Sequence, residues 1–236
     1  MSGLVLSLFP GIGLLDMAFE QEGFCVVRGP DVLWGGDIRR FHPPAGKFDG
    51  IIGGPPCQCF SRLKYLNPMA GAKTVNLIPE FSRCVEEARP AWFVMENVRE
   101  ANHPLIPGYE ISFVDVCDND VGGFTKRRRR FWFSGLGLRL SSHPEWLFPE
   151  RAVTRNVRVP EARHYENAKR RGGGVLPGDG RYATIDEVCR LQGLNGSFPK
   201  NGPIKTEALR LMLGNGVPLA MGRAIAKAVK EAMNAT

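Results

Sequence analysis

The chain has 236 residues, 43% hydrophobic and 23% charged, proportions of a globular protein with one sizeable core and at most a small appendage. No run of about 18 apolar residues occurs, which excludes a membrane-spanning helix. The start MSGLVLSLFPGIG lacks the charged segment and cleavage site of a secretory leader, so a cytoplasmic protein is expected.

The 6 cysteines show neither Cys-x-x-Cys spacing nor a histidine cluster. Reduced thiols are expected, with neither a disulfide framework nor a metal site. The net charge of +7 is unevenly placed: residues 122–181 hold 14 Lys/Arg against 5 Asp/Glu, and the remainder 17 against 19. One contiguous quarter of the chain carries all the excess, the signature of a localised polyanion-binding face.

In chain order, an apolar strand from Leu4 to Phe9 runs into Ser7-Leu8-Phe9-Pro10-Gly11-Ile12-Gly13, followed by a helix from Leu14 to Glu22. Glycines at a strand-to-helix turn let a ligand approach the backbone and reach the helix-start N–H groups. A second strand, Phe24 to Val27, is followed by Asp31 and Asp37, carboxylates suited to ribose hydroxyls or an adenine amino group, or simply to turn capping.

A third strand, Phe48 to Ile52, leads into Gly53-Gly54-Pro55-Pro56-Cys57-Gln58-Cys59. The glycines permit unusual angles and the prolines stiffen the loop, so the Cys57 thiol is pre-set for attack at close range, with Cys59, two positions on, as its local competitor. Cys25, Cys84, Cys117 and Cys189 lie among apolar neighbours and read as small core residues. A helix over Leu77 to Ala88 precedes a fourth strand, Ala91 to Met95, which ends in Glu96. A carboxylate among apolar residues acquires a raised pKa and can donate a proton.

Lys126-Arg127-Arg128-Arg129-Arg130 enters a fifth strand, Phe131 to Phe133. Alternation puts Arg128 and Arg130 on one face and Arg127 and Arg129 on the other, one pair for a pocket and one for phosphates. From Leu138 to Gly180 periodicity dissolves, predicting an irregular insert. Helices follow over Ile185 to Leu191, opened by a Thr184/Glu187 capping box, then Glu207 to Leu213 and Leu219 to Met233. Strands alternating with helices predict a doubly wound α/β sheet, with its ligands at the carboxyl ends of the strands.

Taken together, these motifs resemble the C5-cytosine-specific DNA methyltransferases. Leu8-Phe9-Pro10-Gly11-Ile12-Gly13 resembles the family's S-adenosylmethionine loop, Gly54-Pro55-Pro56-Cys57-Gln58 its nucleophile loop, and Glu96-Asn97-Val98 its Glu-Asn-Val motif. Arg128-Arg129-Arg130 is similar to its Arg-x-Arg motif. Thr184, Glu187 and Arg190-Leu191-Gln192-Gly193 are similar to the motif before its last helices, and Gly214-Asn215-Gly216-Val217-Pro218 to Gly-Asn-x-Val-Pro. The family order is preserved across nearly the whole chain.

The resemblance implies a Rossmann-like methyltransferase sheet: a catalytic core over 1–135, a short target-recognition insert over 136–181 and a returning helical part over 182–236. It implies methyl transfer from S-adenosylmethionine, leaving S-adenosylhomocysteine, to C5 of a cytosine flipped out of double-stranded DNA. Cys57 would add to C6, with Glu96 at N3, Arg130 at O2, and Arg128 and Gln58 completing the catalytic set.

Cofactor contacts carried over are Phe9, Gly11, Ile12, Gly13, Asp31, Asp37, Ile38, Pro55, Leu77, Asn215 and Val217. DNA contacts are Ser61, Arg127, Arg129, Arg151, Arg155, Arg158, Arg163 and Arg170. A monomer acting on DNA in a bacterial or phage-infected cell, in a restriction-modification setting, is expected, with no metal and no membrane. The alternatives are a catalytically silent DNA-binding module or partner subunit, and an RNA cytosine-5 methyltransferase.

The chain departs from the family pattern in four places. Ser7 replaces an acidic residue and Leu14 a third glycine, Lys126 stands for a glutamine, and a helix normally found between Asp31 and Asp37 is missing. With that helix absent, Trp34 competes with Asp31 as the residue beside the adenosyl group.

Overall fold

The computed structural model describes residues 3–57, 59–60, 75–142, 153, 158–159, 161–170, 180–195 and 204–235. Six strands form one sheet: β1 (Leu4–Leu8), β2 (Cys25–Arg28), β3 (Gly50–Gly53), β4 (Trp92–Asn97), β5 (Ser112–Cys117) and β6 (Arg128–Ser134), in the order β2-β1-β3-β4-β6-β5. The first four strands pair in parallel, whereas β6 runs antiparallel to both β4 and β5. Parallel strands covered on both faces read as continuous apolar runs; β3 and β4 are accordingly buried along their whole lengths.

Helices α1 (Leu14–Gln21), α2 (Ile78–Ala88), α3 (Ala162–Arg170), α4 (Ile185–Leu191), α5 (Thr206–Asn215) and α6 (Leu219–Asn234) complete the fold, with a small ladder of β7 (Arg158–Val159) and β8 (Arg181–Tyr182). On one face of the sheet, Leu15 and Phe19 of α1 and Met221, Ile225 and Val229 of α6 pack on Val5, Ile52, Val94, Phe131 and Phe133. On the other, Ile78, Phe81 and Val85 of α2 pack on Leu6, Leu8, Ile51, Phe93, Met95 and Trp132. The side-chain period of two sends alternate residues of each strand to opposite cores. Close packing also fixes small residues: a Cβ on Gly50 would lie 2.2 Å from the Trp92 ring.

A third cluster joins Leu14 to Val188 and Leu191 of α4 and to Leu209 and Leu213 of α5, and takes in Val153 from the insert. It seats the carboxy-terminal helices over the start of α1.

The α/β sheet and its five expected strands are present. Three expectations need correction, the first being Cys25, expected in the core but exposed at the start of β2. Strand β5 had no apolar signature because it is a sheet edge: Ser112, Phe113 and Asp115 are exposed, which dilutes the pattern. The insert is also not wholly irregular. Helix α3 is a polar, solvated helix, and β7 and β8 are only two residues long, too short to leave a periodic signal.

Candidate active site

The parallel registers Leu8↔Gly53 and Gly53↔Met95 bring the carboxyl ends of β1, β3 and β4 level. The loops after these three strands therefore meet at one rim.

The first loop carries the glycines. Phe9, Gly11 and Gly13 all have left-handed backbone, with φ of 57°, 56° and 80°, and Gly13 N–H closes a turn onto the Pro10 carbonyl at 2.8 Å. Helix α1 starts at Gly13 with no side-chain cap, which leaves its first N–H groups for a ligand. A Cβ added to Gly11 would meet nothing within 4 Å, so the loop is open there.

The 31–36 turn clamps this loop. Asp31 accepts from Leu33 N–H at 2.8 Å and from Gly11 N–H at 2.9 Å, and the Trp34 indole donates to the Gly11 carbonyl at 2.8 Å. Both polar groups of the Gly11 backbone are thus engaged from one side. Asp31 is committed to holding the loop, although each of its oxygens keeps a second lone pair for a hydroxyl.

Beneath the loop, Asp16 is fully buried. It accepts from the Ser7 hydroxyl at 2.5 Å and pairs with Arg28 Nε at 2.9 Å. Burial pushes its carboxyl above the usual range, against the pull of Ser7 and Arg28. This node ties the ends of β1 and β2 to the first turn of α1.

Asp37 caps the 38–40 turn and pairs with Arg39 at 2.8 Å; the Arg39 hydrogen bonds hold its carboxyl down at about 2. Ile38, Phe9 and Leu77 join one core cluster. Gly216, flanked by Asn215 and Val217, lies so close to Leu14 that a Cβ there would sit 2.5 Å from its Cδ1. Gln192 donates to the Leu213 and Gly216 carbonyls, and the Thr184/Glu187 capping box forms as expected.

The second loop presents Cys57. Asn97 donates to the Pro55 carbonyl at 3.0 Å and accepts from Val98 N–H at 2.8 Å, which pins the nucleophile loop to the end of β4. A Cβ on Gly54 would come within 3.1 Å of Glu96 Oε2, so that glycine lets the carboxylate approach the loop. Burial raises the Cys57 thiol, the Glu96 charge raises it further, and Arg129 and Arg127 pull it down. Burial likewise raises Glu96, opposed by Arg129 and Arg127.

The arginine run corrects the expected pairing. Arg129 Nε lies 2.6 Å from Glu96 Oε1. Arg127 is buried and lowered to about 9, first by burial and then by Arg129. It donates to the Val153 carbonyl at 2.6 Å and the Asn215 carbonyl at 3.4 Å. Arg130 instead pairs with Asp115 at 2.6 Å and stacks over Phe113, its guanidinium carbon 4.1 Å from the ring centroid, while Arg128 is exposed.

Parity explains the outcome. Arg127 and Arg129 share the face of Phe131 and Phe133, which is also the face of Glu96 and Val94, whereas Arg128 and Arg130 share that of Trp132. The five consecutive basic residues contain two overlapping Arg-x-Arg frames, 127/129 and 128/130, and the strand seats the earlier one beside Glu96. Asp118 sets this frame: it accepts from Thr125 N–H at 2.9 Å and Thr125 Oγ1 at 2.8 Å just before the strand.

Gln58 of the expected catalytic set and Ser61, Arg151 and Arg155 of the expected DNA contacts lie outside the described residues. Arg158 stacks over the Tyr182 ring at 4.4 Å, Arg163 pairs with Glu161 at 3.0 Å, and Arg170 is exposed at the end of α3. Asn97 and the Glu96–Arg129 pair were not singled out from sequence. Asn97 sits inside a quoted motif, but its hold on Pro55 needs the β3–β4 register to be known.

Comparison with known proteins matches this arrangement to a class. The family model for C-5 cytosine-specific DNA methylase matches residues 34–105. The chain is 28% identical over 177 residues to the type II methyltransferase M.NgoPII of Neisseria gonorrhoeae and 34% identical over 177 residues to M.FnuDI of Fusobacterium nucleatum. These alignments take in 62% and 61% of this chain but 51% and 50% of the relatives, so the chain spans about half their length. It is 32% identical over 117 residues to M.HgiGI of Herpetosiphon aurantiacus, covering 41% of this chain and 90% of that one.

Among solved structures, a DNMT2 variant from Spodoptera frugiperda superposes with a TM-score of 0.67 at 15% identity, covering 97% of this chain and 100% of that one. Dnmt2 from S. pombe gives 0.65 at 14% identity, over 98% and 99%. These two establish the Rossmann-like methyltransferase fold. The chain belongs to the C-5 cytosine-specific DNA methylase family.

Proposed function

We propose that the chain transfers a methyl group from S-adenosylmethionine to C5 of cytosine in double-stranded DNA. The observation that carries this reading is the convergence of Cys57, Glu96 and Arg129 beside an open glycine loop.

The uncapped start of α1, the open surface at Gly11 and the carboxylates of Asp31 and Asp37 suit the methionyl and adenosyl ends of S-adenosylmethionine. When bound, that molecule supplies an electrophilic methyl group on a sulfonium. The target base must leave the duplex, because its ring carbons are unreachable in the stack.

Cys57 gives up its proton to water, and the thiolate adds to C6. Glu96, whose proton affinity is raised by burial, donates to N3, so charge does not accumulate on the ring. Arg129 holds Glu96 and, in place of Arg130, would donate to the base O2. C5 then takes the methyl group, a base removes the C5 proton, Cys57 departs as thiolate, and N3 returns its proton to Glu96. Arg127 stays buried as a strut between β6, Val153 of the insert and Asn215.

The basic 136–181 insert would supply phosphate and base contacts, and its shortness favours a short or degenerate target. Incubation with methyl-labelled S-adenosylmethionine and duplex DNA, followed by nucleoside analysis, tests the reading. The expected product is 5-methylcytosine, absent with Cys57→Ala; unlabelled DNA, or label surviving in that variant, would refute it.

A further inference from the structure

Between Asp31 and Asp37 there is room for one short turn only, and β2 is the sheet edge. Among the described residues the segment carrying Asp37 and Ile38 forms no strand, so no sheet hydrogen bonds hold it, although Ile38 is seated in the core cluster beside Phe9 and Leu77. Its own hydrogen bonds are local: Asp37 caps Arg39 N–H, and Phe41 N–H closes on the Ile38 carbonyl at 3.1 Å. Among the described residues, the Arg83 side chain reaches it from across the fold. Arg83 of α2 donates from Nη2 to the Ile38 carbonyl at 2.8 Å and to the Phe41 carbonyl at 3.0 Å.

Arg83 is aimed from behind. Its Nε donates to Glu80 at 2.8 Å and its Nη1 to Glu87 at 2.8 Å, so two carboxylates, one helical turn to either side of Arg83 on α2, fix the guanidinium plane. His42 Nδ1, 3.1 Å from Glu87, joins the same group. A planar fork with both edges occupied loses little further freedom in gripping two carbonyls. Lysine, with one rotating ammonium, cannot reproduce that geometry.

We propose that Arg83 is a positioning residue for the adenosyl end of the cofactor site: it does in this chain what a neighbouring strand would do, holding the 37–41 turn in register with Phe9 and Leu77. The inference rests on the reading of that pocket as an S-adenosylmethionine site. Arg83 itself touches no ligand; it acts through the backbone of Ile38 and Phe41.

The test is calorimetric titration of the full chain and of Arg83→Lys and Arg83→Met with S-adenosylhomocysteine and with adenosine, beside cofactor-free binding of duplex DNA and steady-state kinetics. The expected result is a tenfold or greater loss of affinity for both small ligands by the same factor. KM for S-adenosylmethionine should rise with kcat at saturation retained, and DNA affinity should be unchanged. Should Arg83→Met fail to fold, Arg83→Lys keeps the charge and decides the question. Unchanged ligand affinity in a folded variant would overturn the proposal, as would a loss spread equally over ligand and DNA. Failure of the unaltered chain to bind S-adenosylhomocysteine would instead strike the underlying reading of the pocket.

Discussion

Arg129 reaches Glu96 at 2.6 Å, while Arg130, the next residue along the strand, turns to the other face and is taken by Asp115. The pair predicts a clean split between neighbours. Arg129→Ala leaves Glu96 buried without its paired cation and, on the proposed mechanism, removes a donor to the base. Its turnover should fall by about 10²–10³-fold, the usual cost of deleting one such donor. Arg130→Ala should keep kcat within a few-fold. Single-turnover methyl transfer with both variants checks this, and the reverse ranking would restore the other arginine frame.

The thiol itself should titrate late. Burial and the Glu96 charge raise Cys57 above an ordinary cysteine, and Arg129 opposes them. The alkylation rate of the Cys57 peptide, followed by mass spectrometry against pH, should have its midpoint above that of free cysteine. Arg129→Met should move the midpoint up and Glu96→Gln should move it down. A midpoint below that of free cysteine would contradict the electrostatics described.

Asp16 ties its stability effect to pH. Its folded carboxyl is raised above the unfolded value near 3.8, so the native state binds the proton more tightly than the unfolded chain. Its contribution is therefore fully present below 3.8 and is lost as pH rises through the folded value. Urea unfolding across this range should show the native chain losing stability relative to Asp16→Asn as pH rises. A constant difference would show that Asp16 is not titrating as described.

The two loop glycines should behave differently. Gly11→Ala forces a left-handed alanine at a cost of about 1–2 kcal/mol but meets no neighbour. Thermal stability should fall modestly while S-adenosylhomocysteine affinity falls tenfold or more, because the methyl group projects into the open space of the proposed cofactor site. Gly13→Ala places its Cβ 2.8 Å from Arg28 Nη2 and disturbs the Asp16–Arg28 pair, so stability should fall further. Melting curves and calorimetry separate the two effects.

Much of this site is legible in the sequence because its loops follow buried strands. Strand ends and turn residues are local signals, so Phe9–Gly13, Cys57 and Glu96 each read as lying at a strand end, while their meeting at one rim needed the β1–β3–β4 order. What could not be read depends on register or on long-range contact. The arginine frame is set by Asp118 and Thr125, which lie outside the run. Arg83 reaches carbonyls more than 40 residues away in sequence, and Asn97 reaches Pro55 only because β3 and β4 are neighbours. Strand β5 is hidden by exposure, since an edge strand with Asp115 facing solvent carries no apolar period.

The basic insert makes an electrostatic prediction. If Arg158, Arg163 and Arg170 meet phosphates, each alanine substitution should lower the slope of log affinity against log salt by about 0.9. Fluorescence anisotropy of labelled duplex over a salt series measures it. Slopes unchanged in all three would remove the insert from the DNA interface.

The central claim is the reaction and its substrate, and one measurement addresses both. Purified chain, methyl-labelled S-adenosylmethionine and either duplex DNA or transfer RNA are combined, and the modified nucleoside is identified by mass spectrometry. The account predicts 5-methylcytosine in duplex DNA, dependent on Cys57. Methylation confined to RNA, or no methylated base in either nucleic acid, would contradict it.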